Sequence, residues 1–230
     1  MAGERPAFIF RRRIMSSSAE IKYTCPYCGR EMTITVYQTV NADTDPDLRE
    51  SCMSGDIFRH SCPHCHTDFM IMNHLVYSDP SHKFVLYVSQ DPVSGIRGYA
   101  EPLLAAGYKL RRCESIQAFT EKIQIFEDGM DDVVVELAKY DSFIEFIDNR
   151  KGNPEDITSI EYQRVFDGVM KVNIRTDDKG LTFHIPVNLL EEEVKENQER
   201  FTLDGEDFPC VNSDWIISLF TEPAGTDLKS

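Results

Sequence analysis

The sequence predicts an α+β protein, with a β-rich first part and a mixed second part. Three observations support this class. Apolar and polar residues alternate from Glu31 to Val40, which is the period of a half-buried strand. Apolar residues recur three and four apart from Ile116 to Phe126, which is the period of an amphipathic helix. Two apolar runs, residues 169–174 and 181–185, flank the turn Asp177–Gly180 and predict an antiparallel hairpin.

The first part also contains two copies of one short motif. Cys25-Pro26-Tyr27-Cys28 and Cys62-Pro63-His64-Cys65 both have the pattern Cys-Pro-x-Cys. Two cysteines three apart on a tight turn direct both sulfurs to one point, and two such turns supply four sulfurs in a tetrahedron. That donor set is typical of one closed, structural zinc site. The alternative, a pair of redox motifs, is disfavoured because β-type residues, not a helix, follow each turn.

The remaining elements of the first part are predicted from local patterns. A short helix is expected from Pro46 to Met53, ended by Gly55. Strands are expected on both sides of the second motif, at 57–61 and 67–74, and at 83–89 and 109–112. Glycines and a proline predict an irregular connection over 93–108. We therefore expect a zinc-ribbon-containing antiparallel β domain over residues 20–112.

The second predicted region, residues 113–230, contains two helices, a small antiparallel sheet and C-terminal helices. A second helix is expected to begin near Asp131 and to end before Gly152. Residues 157–162 are the first strand of a three-stranded meander. Helices over 189–200 and near Trp215 follow.

Charge is distributed unequally along the chain. Residues 1–113 have 13 Lys+Arg and 12 Asp+Glu, a net charge of +1, whereas residues 114–230 have 11 and 27, a net charge of −16. This excess of carboxylates disfavours non-specific binding to a phosphate backbone and is typical of an acidic, well-solvated surface.

The N-terminal residues 1–19 are predicted to be a poorly ordered lead. Phe8–Phe10 precedes Arg11–Arg13, the reverse of the order in a secretory signal, and either Met1 or Met15 could be the start. No apolar run approaches the length of a membrane-spanning helix. Three of the seven cysteines are scattered and four have metal-ligand spacing, which predicts a reducing, cytoplasmic location.

Other residues near the motifs are candidate ligands. Histidines crowd the same region and could form a second metal site or replace a thiolate, although ordinary surface and strand histidines are favoured; they are His60, His64, His66, His74 and His82. Cys52 could sense oxidation, but the interpretation as a small buried apolar side chain is favoured. The same interpretation is favoured more strongly for Cys113 and Cys210. The loop between the motifs contains several aspartates, but it lacks the glycine and the terminal glutamate of an EF-hand calcium loop, so solvated carboxylates are favoured over a calcium site.

Several residues together resemble the CpXC domain family of bacteria and archaea. They are the two Cys-Pro-x-Cys motifs, Asn41, Asp45–Leu48 and Tyr77–Pro80, with Glu121–Gly129 as a helical continuation. The resemblance extends over roughly residues 21–135. It implies a zinc-ribbon-like domain and leaves the cellular role open.

Three functions remain open from the sequence. The first is a zinc-binding, non-enzymatic module in which the metal supports a protein-interaction surface, with a protein partner or self-association through the acidic half. The second is a nucleic-acid-binding or transcription-regulatory ribbon, supported by Arg11–Arg13, Arg30, Arg59, Arg111 and Arg112. The third is an enzyme with a cleft between the halves, for which the sequence has no catalytic motif.

Overall fold

The computed structural model describes residues 15–91, 97–203 and 205–221 and has an α+β fold. The described residues divide into two units: those up to Gln124 together with Gly205–Cys210, and residues 125–203 together with 211–221. The division follows Gln124, later than the predicted division after Arg112. Within the described ranges, no helix is both long enough and apolar enough to cross a membrane.

Ten strands and six α-helices are present among the described residues. The strands are β1 (Ser17–Thr24), β2 (Glu31–Asn41), β3 (Arg59–Ser61), β4 (Asp68–Met70), β5 (Leu75–Asp79), β6 (Phe84–Val88), β7 (Lys109–Cys113), β8 (Ile157–Phe166), β9 (Val169–Thr176) and β10 (Gly180–Pro186). The helices are α1 (Pro46–Ser54), α2 (Arg97–Ala105), α3 (Ile116–Glu127), α4 (Asp132–Asp148), α5 (Val187–Glu196) and α6 (Ser213–Phe220).

The main sheet of the first unit has the strand order β1-β2-β5-β6-β7. It is mixed: β1 pairs with β2, and β5 with β6, in the predicted antiparallel direction, whereas β2 pairs with β5, and β6 with β7, in the parallel direction. Parallel neighbours require a crossover between them. Between β2 and β5 the crossover contains α1 and a separate two-stranded sheet, β3-β4. The sequence pattern predicted strands at these positions but did not indicate that they lie outside the main sheet.

An aromatic cluster forms the core of the first unit. Phe119 of α3 meets Phe58 and Tyr77 edge to face, with ring centroids 5.7 Å apart in each pair. Tyr77 also lies against Phe84 of β6, and all four side chains are buried. Edge-to-face pairs at such distances stabilise a core beyond the apolar area that they bury.

Three elements of the first unit differ from the prediction. β5 was missed because its apolar run ends in Ser78 and Asp79, which are themselves buried. The irregular connection contains α2, which holds Pro102 in its interior and is anchored by buried Leu103. Residues 17–19 of the predicted lead belong to β1, whereas residues 1–14 lie outside the described residues.

A segment from late in the chain, Gly205–Cys210, belongs to the first unit. The backbone N–H of Arg112 in β7 donates to the carbonyl of Pro209 at 3.1 Å. Phe208 is buried in a cluster with Val85, Ala100, Leu103 and Leu110. We call this segment the return strap, because it completes the core that β6, β7 and α2 begin.

The second unit contains the predicted meander, with strand order β10-β9-β8 and antiparallel pairing throughout. Met170, Val172 and Ile174 alternate along β9 and are fully buried. The long helix α4 contacts both β8 and β9. Its first residue follows Asp131, whose carboxylate accepts a hydrogen bond from the N–H of Val133, as expected of an N-cap.

Candidate metal centre

Each Cys-Pro-x-Cys motif forms the turn of a hairpin. The first, Cys25–Arg30, joins β1 to β2, and the second, Cys62–Thr67, joins β3 to β4. The N–H of Gly29 donates to the carbonyl of Cys25, and that of His66 to Cys62, both at 2.9 Å. The two turns therefore share one backbone design.

A second pair of bonds closes the turns in the same way. The N–H of Cys25 donates to Arg30, and that of Cys62 to Thr67, both at 3.0 Å. The fifth residue of each turn has a left-handed backbone, with φ of 71° at Gly29 and 57° at His66. Glycine adopts that conformation freely, whereas histidine does so at some cost.

The four sulfurs converge on one point. Cys25 Sγ lies 3.8 Å from Cys65 Sγ, and Cys28 Sγ lies 3.7 Å from Cys62 Sγ. All four sulfurs lie within 4.8 Å of one another. These separations are far too long for disulfides. A tetrahedral metal with metal–sulfur distances of about 2.3 Å requires sulfurs about 3.8 Å apart, so the donor set and its dimensions fit a metal ion.

Apolar side chains surround the inner sulfurs. Cys25 and Cys62 are buried, whereas Cys65 is half-buried and Cys28 is exposed. The buried cluster around them contains Met32, Ile34, Val36 and Phe69. One side of the site is therefore shielded from water, and the other, at Cys28, faces solvent.

Backbone N–H groups point at the sulfurs, and these groups shift the thiol pKa values. The N–H of His64 lies 3.4 Å from Cys62 Sγ. For Cys25, burial raises the pKa, but the N–H groups of Cys28 and Tyr27, together with hydrogen bonds to the neighbouring thiols, outweigh it and the net shift is downward. Hydrogen bonds from the side chain and backbone of Thr67 lower the pKa of Cys65 to about 6. These groups favour the thiolate, which is the form that binds a metal.

Cys28 shows the opposite shift. The N–H of Arg30 lowers its pKa, but desolvation and the three neighbouring thiols outweigh that bond and raise the pKa to about 11. Like charges held this close oppose one another's ionisation. A bound cation removes this conflict, because it stabilises all four thiolates together.

The histidines considered as ligands do not join a second cluster. Among the described residues, the four cysteines are the one group of three or more His, Cys, Asp or Glu with donor atoms this close. His60 lies against Phe69, and its burial lowers its pKa. His74 stacks on Tyr87, and His82 bonds to buried Asp79 at 2.8 Å.

Two contacts at the site involve residues whose role the sequence did not predict. Nε2 of His64 donates to the carbonyl of Glu31 at 3.3 Å, which ties the second turn to the start of β2. Thr67, one residue beyond His66, bonds to the sulfur of Cys65. Thr67 and Arg30 each lie two residues after the second cysteine of their motif. This shared position could have predicted that the backbone N–H of each residue faces a sulfur.

The other three cysteines lie outside the site. Cys52 and Cys113 are buried, and Cys210 is half-buried. Burial raises the pKa of Cys52 to about 12. Burial is also the main cause that raises the pKa of Cys210 to about 11. Cys52 and Cys210 are therefore protonated at neutral pH, and a protonated thiol behaves as the small apolar side chain that the sequence predicts at these positions.

Comparison with known proteins agrees with the geometry. A family model described as CpXC protein matches residues 23–139, just over half of the chain. The chain belongs to the CpXC family. The matched residues include both Cys-Pro-x-Cys turns, and the family resemblance stated from the sequence is thereby confirmed. Searches of curated proteins and of solved structures return no match.

Proposed function

We propose that Cys25, Cys28, Cys62 and Cys65 hold one structural zinc ion in a non-enzymatic protein-interaction module. The observation that carries the proposal is the sulfur geometry, with two separations of 3.7 and 3.8 Å across the two turns. Four thiolates select zinc or iron. Zinc with four protein ligands has no open position for water, so such a site stabilises a fold and does not activate a nucleophile.

The elements around the site support a stabilising role. β3 and β4 have three residues each and form a sheet of two strands. A hairpin this small is marginal in water without further support. A metal that binds both turns ties the short hairpin to β1 and β2, and its binding free energy becomes folding free energy. The proposal requires a reducing compartment such as the cytoplasm, where the four thiols stay reduced.

The charge pattern favours a protein as the binding partner. Residues 114–230 have a net charge of −16, which suits a basic protein surface and repels nucleic acid. Titration with single- and double-stranded nucleic acid at low salt distinguishes a protein-binding function from a nucleic-acid-binding one, because counterion release makes phosphate binding strongest at low salt. Affinity that falls steeply with salt would favour the nucleic-acid function instead.

Metal analysis tests the site directly. Protein purified without added metal is expected to contain about one zinc per chain and to lack the visible absorption of iron bound by sulfur. Cys62→Ser should lose the metal and lower the melting temperature. Cys210→Ser is the matched control and should keep both, because Cys210 is outside the cluster. Protein without metal, or with iron, would contradict the proposal.

A further inference from the structure

The first strand of the main sheet, β1, is an edge strand. Among the described residues it pairs with β2 alone, over eight residues from Ser17 to Thr24. Within the described ranges, no strand bonds to the backbone N–H and C=O groups along its other side. A long edge strand of this kind is a template for pairing with another chain.

The apolar face of the sheet continues into β1 and stops at that edge. Ile21 lies opposite Ile34 in the β1–β2 register, and Tyr23 lies opposite Met32. Ile34 is 6% exposed, whereas Ile21 is 38% exposed. The two isoleucines share one face, so the difference comes from the position of Ile21 at the edge. A further strand beside β1 would cover it.

The side chains of β1 are self-complementary in the antiparallel direction. When two copies of β1 pair with Ile21 opposite Ile21, Glu20 of each copy lies opposite Lys22 of the other. This pairing keeps the apolar faces of both copies on one side, because directly opposite residues in an antiparallel pair share a face. It also gives two cross-strand pairs of opposite charge.

Neighbouring registers that keep the faces aligned are disfavoured by charge. A shift in one direction sets Glu20 against Glu20, and a shift in the other sets Lys22 against Lys22. Like charges directly opposite destabilise a strand pair. A shift by a single residue would turn the apolar face of one copy to the other side of the sheet. Charge and face therefore select one register.

We propose that the protein forms a two-fold symmetric dimer by antiparallel pairing of β1 with β1 of a second copy, centred on Ile21. The edge presents both halves of the interface, as a two-fold contact requires. One strand per copy buries little area, so the dimer is of the weak class, with dissociation constants in the micromolar range. This contact lies in the first unit and does not depend on the identity of the metal.

Single charge reversals test the register. Lys22→Glu sets carboxylates opposite each other in both pairs, and Glu20→Lys sets cations opposite each other. Each variant should dimerise at least about tenfold more weakly than the unchanged chain in sedimentation equilibrium. Lys22 also pairs with Glu31, but both side chains are mostly exposed, so losing that pair should leave folding intact, as a melting curve can verify.

Complementation makes the test specific. Mixing the two single variants sets the two lysines of one strand opposite the two glutamates of the other, and should restore association. The double reversal, Glu20→Lys with Lys22→Glu, should also restore it within one chain. Lys195→Glu, an exposed reversal on α5, is the matched control and should dimerise like the unchanged chain.

Four results would overturn the proposal. One is a monomer at every concentration up to several hundred micromolar. Another is a dimer that the single reversals leave unchanged. The third is a loss of association in the single variants that mixing and double reversal both fail to restore. The fourth is a chain that dimerises only after residues 1–14 are removed.

Discussion

At the scale of single residues, the buried hydroxyl of Tyr162 illustrates how the second unit satisfies its polar groups. Tyr162 is 3% exposed, and its hydroxyl donates to Asp128 Oδ2 at 2.7 Å. Burial, together with the adjacent carboxylate, raises the pKa of Tyr162 above its ordinary value. The hydroxyl therefore stays protonated and acts as a donor at all ordinary pH values. The bond joins β8 to the loop before α4.

Replacement of that hydroxyl has a predictable cost. Tyr162→Phe removes the donor and leaves Asp128 without this bond, which should lower the free energy of unfolding by about 1–2 kcal/mol. Urea unfolding measures the change. Tyr27→Phe is the control, because Tyr27 is 64% exposed, so little change is expected. Equal effects of the two substitutions would contradict this account.

The four cysteines could be predicted from sequence because their spacing is local. Two sulfurs three residues apart on a tight turn meet whatever the rest of the chain does. The bond from His64 to Glu31 could not be predicted, because it depends on how two hairpins, with 33 residues between Cys28 and Cys62, are oriented around the site. The left-handed backbone of His66 was equally hidden, since histidine does not mark such a position as glycine does.

At the scale of elements, the return strap is the feature that sequence patterns conceal. Phe208 lies in a short stretch with no helical or strand period, yet it is 4% exposed and packs with residues of β6, β7 and α2. Its ring also meets Tyr87 at 6.2 Å between centroids. Hydrophobic periodicity detects helices and strands by the regular spacing of several apolar residues, so it does not detect a single buried residue in a loop.

Truncation of this anchor should destabilise the first unit. Phe208→Ala removes a buried aromatic ring and leaves a cavity, at a cost of about 3–5 kcal/mol. Phe208→Leu should cost much less, because it keeps most of the apolar volume. Denaturant unfolding of both variants provides the comparison. Similar small changes for both would show that the ring is not part of the core.

The elements that could be predicted share a clear local signal. α4 has a capping Asp131 and a sustained apolar pattern, and β9 alternates strictly. α2 was missed because Gly98 and Pro102 are breakers by propensity, and packing of Ala100 and Leu103 outweighs that preference. β1 was missed because its side chains are largely exposed, so its pairing with β2 leaves little trace in hydrophobicity.

At the scale of the whole molecule, the four-cysteine cluster and the negative charge belong to different parts of the chain. All four clustered cysteines lie in the first unit, whereas the strongly acidic stretch begins after residue 113. The second unit has its own sheet and a buried core centred on Phe146, Ile174 and Phe183. Loss of the metal should therefore affect the two units unequally.

Hydrogen exchange after metal removal checks this inequality. With a strong chelator, amides of residues 23–70 should lose protection because the metal's contribution to folding is gone. Amides of β8, β9 and β10 should exchange at nearly the rates of the untreated protein. The same chelator saturated with zinc controls for direct effects of the compound. Uniform loss of protection, or none, would contradict the structural role proposed for the metal.

The return strap also bears on which pieces of this protein can be prepared alone. The family model spans residues 23–139, and a fragment cut to those limits lacks six residues of β1 and the whole of Gly205–Cys210. Such a fragment would retain all four clustered cysteines while exposing the apolar cluster that Phe208 covers. Its solubility would then fail for reasons unrelated to the metal. A recombinant first unit therefore needs the strap, which the full chain supplies.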